Sequence, residues 1–272
     1  MKKILITGSN SYVGKAIKKW LEEKYPSEFE ISNISLRTEK WEKEDFSQYD
    51  SIIHLAAIVH QSHGNYSFEE YKKFNALLSE KLAIKAKKEG VPHFIFFSTM
   101  AVYGTDGDVT KKYIINKDTL PSPNTPYGVS KLIAEELITK LSDQDFKVLI
   151  LRPPLIYGNN CPGNYEKLNK LSKKIKFFPY IDNQRSMLSV NKLSEMMYEY
   201  IKFKAEGVVL PQDDEYKNTS KLIKQLGLKN NNNILLIPMN FNVLKKIINK
   251  FSILRKLFGN LVYENSEVKK YE

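Results

Sequence analysis

Cysteine is almost absent from this sequence, since Cys161 is the only one in 272 residues. No internal disulfide can form, and such a composition suits a reducing cytoplasm. Long apolar runs are missing as well. No stretch of about 18 apolar residues occurs, so we expect no membrane-spanning helix. The apolar part of the opening MKKILITGSN is too short for the core of a secretory signal, and we expect a cytoplasmic protein.

Clustered charge of one sign is also missing. The formal net charge is +11 at pH 7, a value that a nucleic-acid-binding protein could have. The lysines, however, are spread along the whole chain, with no basic arm and no interleaving of basic and aromatic residues. We therefore expect no nucleic-acid partner and interpret the charge as solvated surface with a modest attraction for anionic ligands.

Short apolar runs alternate with amphipathic stretches along the first half of the chain. This alternation predicts an α/β fold, a doubly wound parallel sheet with helices on both faces. The predicted strands are residues 2–7, 29–36, 51–57, 93–98 and 147–152, and the predicted helices lie near 12–24, 69–89 and 127–141. The polar connection 37–50 has room only for a very short element.

The pattern becomes irregular after Arg152, where Pro153, Pro154, Pro162 and Gly163 follow closely. We predict that residues 1–152 form the sheet domain and that residues 153–272 form mainly a smaller, substrate-binding lobe, with about 183–200 returning to the sheet. Such a lobe would grow from the carboxyl side of the sheet, where ligands bind in open α/β folds.

The stretch ITGSNSYVG, residues 6–14, follows the first strand and opens the first helix. Gly8 suits a tight turn out of the strand, and Gly14 allows the helix to lie close to the sheet. The amino end of that helix would then offer free N–H groups and a positive dipole to a pyrophosphate. Ser11 stands where a middle glycine is usual, and its hydroxyl could bond a phosphate. The alternative is a helix cap without a ligand.

Cofactor choice depends on the end of the second strand, where an acidic residue would bind the adenosine ribose of NAD. This chain has Ser35, Leu36, Arg37 and Thr38 there, and no acid. Arg37 could pair with a 2′-phosphate, so we predict that NADP(H) is preferred, with NAD(H) possible. The alternative is an ordinary surface arginine.

Five motifs occur in a fixed order: ITGSNSYVG, HLAA at 54–57, STMAVYG at 98–104, YGVSK at 127–131 and LRPPLIYG at 151–158. In this order and spacing the chain resembles the extended short-chain dehydrogenase/reductases, and more narrowly the nucleotide-sugar epimerase/dehydratase/reductase family. The resemblance spans roughly residues 1 to 200 and implies a Rossmann-type cofactor domain. It also implies catalytic roles for Thr99, Tyr127 and Lys131.

The chemistry of the Y-x-x-x-K motif explains why a Tyr and a Lys stand four positions apart. Tyr127 and Lys131 would share one face of a helix that begins at Pro126. A free tyrosine has a pKa of about 10, and a nearby ammonium or nicotinamide cation favours the phenolate. Tyr127 could then act as general acid or base on a sugar oxygen that Thr99 also holds. By resemblance, Lys131 also bonds the nicotinamide ribose. Packing, a solvated charge and a strand-end hydroxyl are the structural alternatives.

The resemblance implies further contacts with less force. Asn75 matches an asparagine that holds the active-site region, and GNYEKLNKL and NQRSMLSV resemble the UDP-sugar site of bacterial polysaccharide-biosynthesis members. Arg185 would suit bidentate phosphate recognition, and a surface charge is its alternative. The remaining expected contacts are Tyr12, Val13, Leu55, Ala56, Ala57 and Pro153 for the cofactor and Asn164 with Arg185 for the substrate. His60 and His63 have no second ligand pair nearby, so we expect no metal.

Residues 241–258 carry apolar side chains on one predicted helical face and basic ones elsewhere. Such a helix most often packs on its own domain or on a second subunit of a homodimer. A helix lying on a membrane surface is the alternative that stays open.

These features favour an NADP(H)-dependent reductase of a nucleotide-linked 4-keto sugar. More closely, we expect reduction of a UDP-linked 6-deoxy-4-keto-hexosamine for a surface polysaccharide, such as a capsule. An epimerase that retains NAD is the alternative with the same fold. A 4,6-dehydratase is disfavoured because Met100 and Ala101, not acids, follow Thr99. A non-catalytic NADP(H) sensor is the alternative of another class, and the proton-donating tyrosine argues against it.

Overall fold

The computed structural model describes residues 1–58, 66–238, 248 and 250–265. Its centre is a six-stranded parallel sheet formed by β1 (Lys2–Thr7), β2 (Phe29–Ile34), β3 (Ser51–His54), β4 (His93–Phe97), β6 (Lys147–Leu151) and β10 (Gly207–Val209). The strand order is β10-β6-β4-β3-β1-β2, so the chain moves outward from β1 in both directions. The predicted doubly wound α/β fold is confirmed.

Helices cover both faces of this sheet. They are α1 (Tyr12–Lys24), α2 (Phe68–Tyr71), α3 (Leu78–Lys88), α4 (Pro126–Thr139) and α6 (Val190–Lys202). A π-helical segment, Lys72–Leu77, joins α2 to α3, and a short 3₁₀ helix, Glu39–Lys43, fills the polar connection after β2. The strands end two or three residues earlier than predicted in β2 and β3, because their last residues leave the ladder to form loops at the carboxyl edge.

Alternating side chains of the strands supply two separate cores, as expected for a sheet buried on both faces. Ile4, Ile6 and Ile53 point to the side of α1 and α6. Leu5, Ile52 and Phe96 point to the side of α3 and α4. Tyr127 and Lys131 therefore sit on a helix that is fixed by apolar burial, worth roughly 1.5–3 kcal/mol per large side chain.

The second half of the chain builds small parallel pairs around the carboxyl edge of the sheet. They are β7 (Leu155–Tyr157) with β9 (Met187–Ser189), β8 (Phe177–Tyr180) with β11 (Leu235–Pro238), and β5 (Tyr113–Ile115) with β12 (Leu261–Tyr263). The helices of this part are α5 (Asn164–Ser172), α7 (Thr219–Lys229) and α8 (Ser252–Phe258). The chain returns to the main sheet through α6, which packs on α1, and through β10. The division into two domains at residue 152 stays a prediction.

The predicted amphipathic stretch 241–258 is described only from its later residues. Phe258 on α8 is buried against the ring of Phe178, with ring centroids 5.8 Å apart. Ile253 on the same helix is exposed. Residues 239–247 and 249 lie outside the described residues. Within the described part of the chain, no helix has both the length and the apolar character needed to cross a membrane.

Candidate active site

The helix that carries Tyr127 and Lys131 begins as the sequence predicts. Thr125 caps α4 by accepting the N–H of Gly128 at 3.1 Å, and Pro126 occupies the first helical position. Tyr127 and Lys131 therefore stand one turn apart at the amino end of a firmly anchored helix. They lie beside the carboxyl edge of the central sheet, on the side of β4.

The Tyr127 phenol lies in a half-buried position, hydrogen-bonded to Thr99, and its ring meets that of Tyr71 edge-on with centroids 6.4 Å apart. Burial raises the pKa of Tyr127 to about 12, and the bond with Thr99 lowers it only in part. The predicted lowering of this pKa depends on the ammonium together with the nicotinamide cation of an oxidised cofactor, and it stays a prediction. In the protein alone the loss of water outweighs the favourable contacts, and the phenol is neutral.

Lys131 is the most deeply buried cation of the site, with 2% of its surface exposed. Its Nζ stands 4.0 Å from the centre of the Phe96 ring, a cation–π contact. Among the described residues, no acceptor receives a hydrogen bond from this ammonium. Burial lowers the pKa of Lys131 to about 7, although Glu135 raises it in part. The N–H donors of Lys131, three when it is an ammonium, thus have no acceptor among the described residues.

Thr99 is held by the loop that leaves β4. Its Oγ1 accepts the N–H of Ala101 at 3.1 Å, which starts the 3₁₀ helix Met100–Tyr103. The flanking backbone is fixed too, since Ser98 N–H donates to Leu151 and Met100 N–H donates to the carbonyl of Pro153 at 2.9 Å. Pro153, predicted near the cofactor, therefore positions this loop through its carbonyl.

Asn75 lies fully buried in the π-helical segment and clamps the loop after β3. Its Oδ1 accepts the N–H of Ile58 at 2.8 Å, and its Nδ2 donates to the carbonyl of Ile58 at 2.9 Å and to Ser130 at 3.1 Å. Ser130 in turn donates to the carbonyl of Tyr127 at 2.8 Å. One amide side chain thus joins the loop after β3 to α4, and its role in an active site stays a prediction.

His54 of the HLAA motif carries a role that the sequence alone does not indicate. Ser79 donates to the carbonyl of Asn75, so its oxygen must accept from Nε2–H of His54 at 2.7 Å. Nδ1 is then the acceptor for the Thr7 hydroxyl at 2.6 Å. Burial lowers the pKa of His54 to about 3, so the ring is neutral. The chain of bonds links the end of β1 to Asn75.

A buried ion pair beneath Thr99 was also missed from the sequence. Arg152, at the end of β6, donates through Nη2 to Oε2 of Glu135 at 2.6 Å and through Nε to both carboxylate oxygens. Its Nη1 donates to the hydroxyl of Tyr103 at 2.9 Å, and Glu135 also accepts from Ser98. The only signal in the sequence is the position of Glu135 one helical turn after Lys131.

The turn between β1 and α1 has the geometry expected of a phosphate loop. Gly8 adopts a φ of +70°, and a Cβ there would come within 2.8 Å of the backbone nitrogen of Ala56. A Cβ on Gly14 would meet the backbone of Ser9 at 2.8 Å. Ser11 caps α1, because its hydroxyl oxygen accepts a hydrogen bond from the N–H of Gly14 at 3.0 Å.

The other residues of this edge take three kinds of position. Tyr12 packs its ring among the apolar side chains of the second lobe, and its buried hydroxyl has no hydrogen-bond partner among the described residues. Val13 packs on the core beside α1. Arg37 lies exposed beyond the end of β2, and Leu55, Ala56 and Ala57 follow β3 at the same carboxyl edge. Ala56 thus lies next to the Gly8 turn, whereas Tyr12 and Val13 take part in packing.

The two predicted substrate residues belong to the second lobe and differ in exposure and in hydrogen bonding. Asn164 is exposed at the first position of α5. Arg185 directs Nη1 at three backbone carbonyls, those of Asp106 at 3.1 Å, Arg255 at 3.3 Å and Gly259 at 2.7 Å. Two of these are at the carboxyl end of α8, which a cation stabilises. Arg185 therefore has a structural role, and its Nε and Nη2 bond to no described residue.

No cluster of three metal-ligating side chains occurs in residues 1–58, 66–238, 248 and 250–265. His60 and His63, whose spacing drew attention in the sequence, lie outside the described residues.

Solved structures of nucleotide-sugar enzymes share this fold. A dTDP-4-dehydrorhamnose reductase from Bacillus anthracis, solved with NADP, superposes with a TM-score of 0.69 at 21% identity, covering 90% of this chain and 86% of the other. A UDP-glucuronic acid 4-epimerase from Bacillus cereus, solved with NAD, gives a TM-score of 0.71 at 20% identity, covering 96% and 88%. The fold is thus that of extended short-chain dehydrogenases/reductases.

Comparison of the sequence with known proteins identifies the family within this fold. Residues 4–179 match the model of the NAD dependent epimerase/dehydratase family. A UDP-glucose 4-epimerase from Vibrio cholerae is 26% identical over 295 aligned positions, which cover 98% of this chain and 89% of that relative. The chain belongs to the NAD-dependent epimerase/dehydratase family, and the resemblance drawn from its five motifs is confirmed.

Proposed function

We propose that this protein is an NADPH-dependent reductase that converts the C4 ketone of a nucleotide-linked sugar to an alcohol. The observation that carries the proposal is Arg37, which is exposed beyond β2 where a 2′-phosphate of NADPH could pair with it. The Tyr127 phenol, hydrogen-bonded to Thr99, would donate a proton to the ketone oxygen. An epimerase would use the same side chains, so the preference for a reductase rests on the cofactor.

The chain's own residues fit a bound dinucleotide. The unpartnered Lys131 ammonium would hold ribose hydroxyls, and Gly8 with the amino end of α1 would hold the pyrophosphate. A bound nicotinamide cofactor would supply the hydride. Tyr127 would then protonate the ketone oxygen as negative charge develops on it, while Thr99 holds that oxygen by a second hydrogen bond. Lys131 stabilises the phenolate that remains and favours its reprotonation.

The preference for NADPH rests on Arg37, which is exposed just beyond β2 and is flanked by Leu36 and Thr38, with the first acidic residue, Glu39, in the following 3₁₀ helix. An arginine there can pair with a 2′-phosphate. Relatives of the fold use both cofactors, since the B. anthracis reductase was solved with NADP and the B. cereus epimerase with NAD.

The proposed substrate is a UDP-linked 6-deoxy-4-keto-hexosamine, a building block for surface polysaccharide. The V. cholerae relative acts on a UDP-sugar, as its name states. Asn164 would contact the diphosphate or sugar from the first turn of α5, and Arg185 would contribute Nε and Nη2, because its Nη1 is engaged. A cytoplasmic location stays a prediction.

A UDP-sugar epimerase that keeps its NAD is the second candidate, favoured by the family and by the V. cholerae relative. Cofactor stoichiometry separates the two. The 4-keto sugar is generated by a separate dehydratase, and this protein is added with NADPH. A reductase consumes one NADPH per sugar and the product gains two hydrogens. Conversion without NADPH loss or mass change would identify an epimerase.

The proposed assembly is a homodimer. Phe74 and Leu77 in the π-helical segment and Ile84 on α3 are exposed by 40%, 45% and 45%, although large apolar side chains are usually covered. Leu77 and Ile84 are seven residues apart and so lie on one side of the helix. Light scattering on the purified protein should give twice the chain mass, and Leu77→Glu should give the monomer.

A further inference from the structure

We propose that Glu135 is the buried counter-charge of the Lys131 ammonium and that Arg152 sets how strongly it acts. Glu135 is thus a positioning residue for the proton chemistry of the site, not a group that touches the reacting atoms. This inference rests on the proposed role of Lys131 in the reductase reaction.

The geometry on α4 brings the two charges together. Lys131 and Glu135 are one turn apart on the same helix, and their exposed fractions are 2% and 4%. An ammonium at this depth would be costly without a nearby negative charge. The Lys131 ammonium forms no hydrogen bond to a described residue, so the carboxylate acts on it through space.

The other ionisable and charged groups around Lys131 cannot serve as its counter-charge. His54 on β3 is neutral, and a proton on it would repel the ammonium. Tyr127 at the start of α4 has a raised pKa, and so has Tyr103 in the 3₁₀ helix, so both are neutral phenols. Arg152 at the end of β6 carries the same charge as Lys131. Tyr71 faces Tyr127 from α2.

Glu135 is shared between two cations. Arg152 donates to both carboxylate oxygens, from Nη2 at 2.6 Å and from Nε at 3.1 and 3.2 Å. The side chains of Arg152 and Glu135 are 11% and 5% exposed. The positive charge of Arg152 opposes the field of Glu135 at Lys131. Burial lowers the pKa of Lys131 to about 7, and Glu135 raises it in part. The ammonium is thus poised near neutral pH.

The test exploits this sharing, because two variants break the same ion pair with opposite electrostatic effects. Glu135→Gln removes the counter-charge, so the pKa of Lys131 should fall. Arg152→Gln releases the carboxylate, so the same pKa should rise. A purely structural role predicts no such opposition, since both variants loosen the same contact. Glu135→Asp keeps the charge and should stay closer to the unmodified protein than Glu135→Gln does.

The measurement needs neither substrate nor cofactor. Only a neutral amine reacts with acetic anhydride, so trace acetylation at a series of pH values, read by peptide mass spectrometry, gives the pKa of each lysine. Below that pKa, a change of one unit alters the rate about tenfold. We expect Lys131 to react several-fold faster in Glu135→Gln and several-fold slower in Arg152→Gln, with the exposed lysines as internal controls.

Shifts in the same direction, or no shift in either variant, would overturn the proposal. The double variant Glu135→Gln/Arg152→Gln replaces the ion pair with a neutral pair, which proteins often tolerate. It should bring the pKa back towards its starting value, and it keeps the test valid if one single variant fails to fold. If acetylation follows the prediction but no NADPH is consumed with the 4-keto sugar, only the proposed reaction fails.

Discussion

Two cations in the two halves of this protein, the buried Lys131 and the partly buried Arg185, are held in opposite ways. Lys131 in the sheet half bonds to none of the described acceptors, whereas Arg185 in the second lobe directs Nη1 at three backbone carbonyls. The first cation is held in place by the packing around it and is available to a ligand. The second is built into the fold. The hydrogen bonds of a cation, and not its position alone, thus separate a group that is open to a ligand from one that holds the fold.

The largest effect should follow from the loss of the proton donor that accompanies Lys131. Tyr127→Phe removes the hydroxyl but keeps the ring against Tyr71, so folding should be preserved. Turnover should fall by about a hundredfold or more, the scale of general acid catalysis, while cofactor affinity changes little. Steady-state kinetics with fluorescence titration of NADPH measure both. Turnover close to that of the unmodified protein would remove Tyr127 from its catalytic role.

The comparison of the two cations is tested directly by giving each the same replacement. Arg185→Met leaves the carbonyls of Asp106 and Gly259 without a described donor, whereas that of Arg255 still accepts the N–H of Gly259, so the free energy of unfolding should drop by on the order of 2 kcal/mol. Lys131→Met removes a buried charge that has no hydrogen-bond partner, so stability should stay constant or rise. Denaturant unfolding of both variants under one set of conditions gives the two values. Equal losses would mean that the two cations are held alike.

The smallest effect concerns Arg37, an exposed cation at the rim of the sheet half. Arg37→Ala should weaken NADPH by about tenfold and leave NADH nearly unchanged, because only NADPH carries the extra phosphate. Titration of both cofactors against both proteins shows the difference. An initial preference for NADH, or equal losses for the two cofactors, would refute the assignment of Arg37.

The sheet half could be predicted from the sequence because its signals are local. Strand β1, the glycine turn and α1 are contiguous, and the Y-x-x-x-K spacing is decided within one helix. The structure of the second lobe depends on pairings between distant segments, such as β5 with β12 and β8 with β11. No local sequence pattern predicts such pairings. The structural role of Arg185 escaped prediction for that reason.

Contacts between distant segments also decide the parts of the candidate site that could not be predicted. Glu135 and its neighbour Glu136 look alike in sequence, and only the fold decides that Glu135 meets Arg152 and Ser98. The π-helical turn that buries Asn75 also has no signal in the sequence. Burial raises the pKa of Tyr127 in the protein alone, and the sequence could not indicate this because the depth of burial depends on side chains from several elements.

The central claim is that hydride leaves a dissociable NADPH and stays on the sugar while Tyr127 supplies the proton. Incubation of the UDP-linked 4-keto sugar with this protein and NADPH dideuterated at C4 tests it most directly, with Tyr127→Phe as the matched control. We expect each product sugar to carry one deuterium on the former ketone carbon. The Tyr127→Phe variant should incorporate deuterium more slowly, by about a hundredfold or more. A converted sugar without deuterium would contradict the account, because the hydride would then have come from a cofactor that never left the protein.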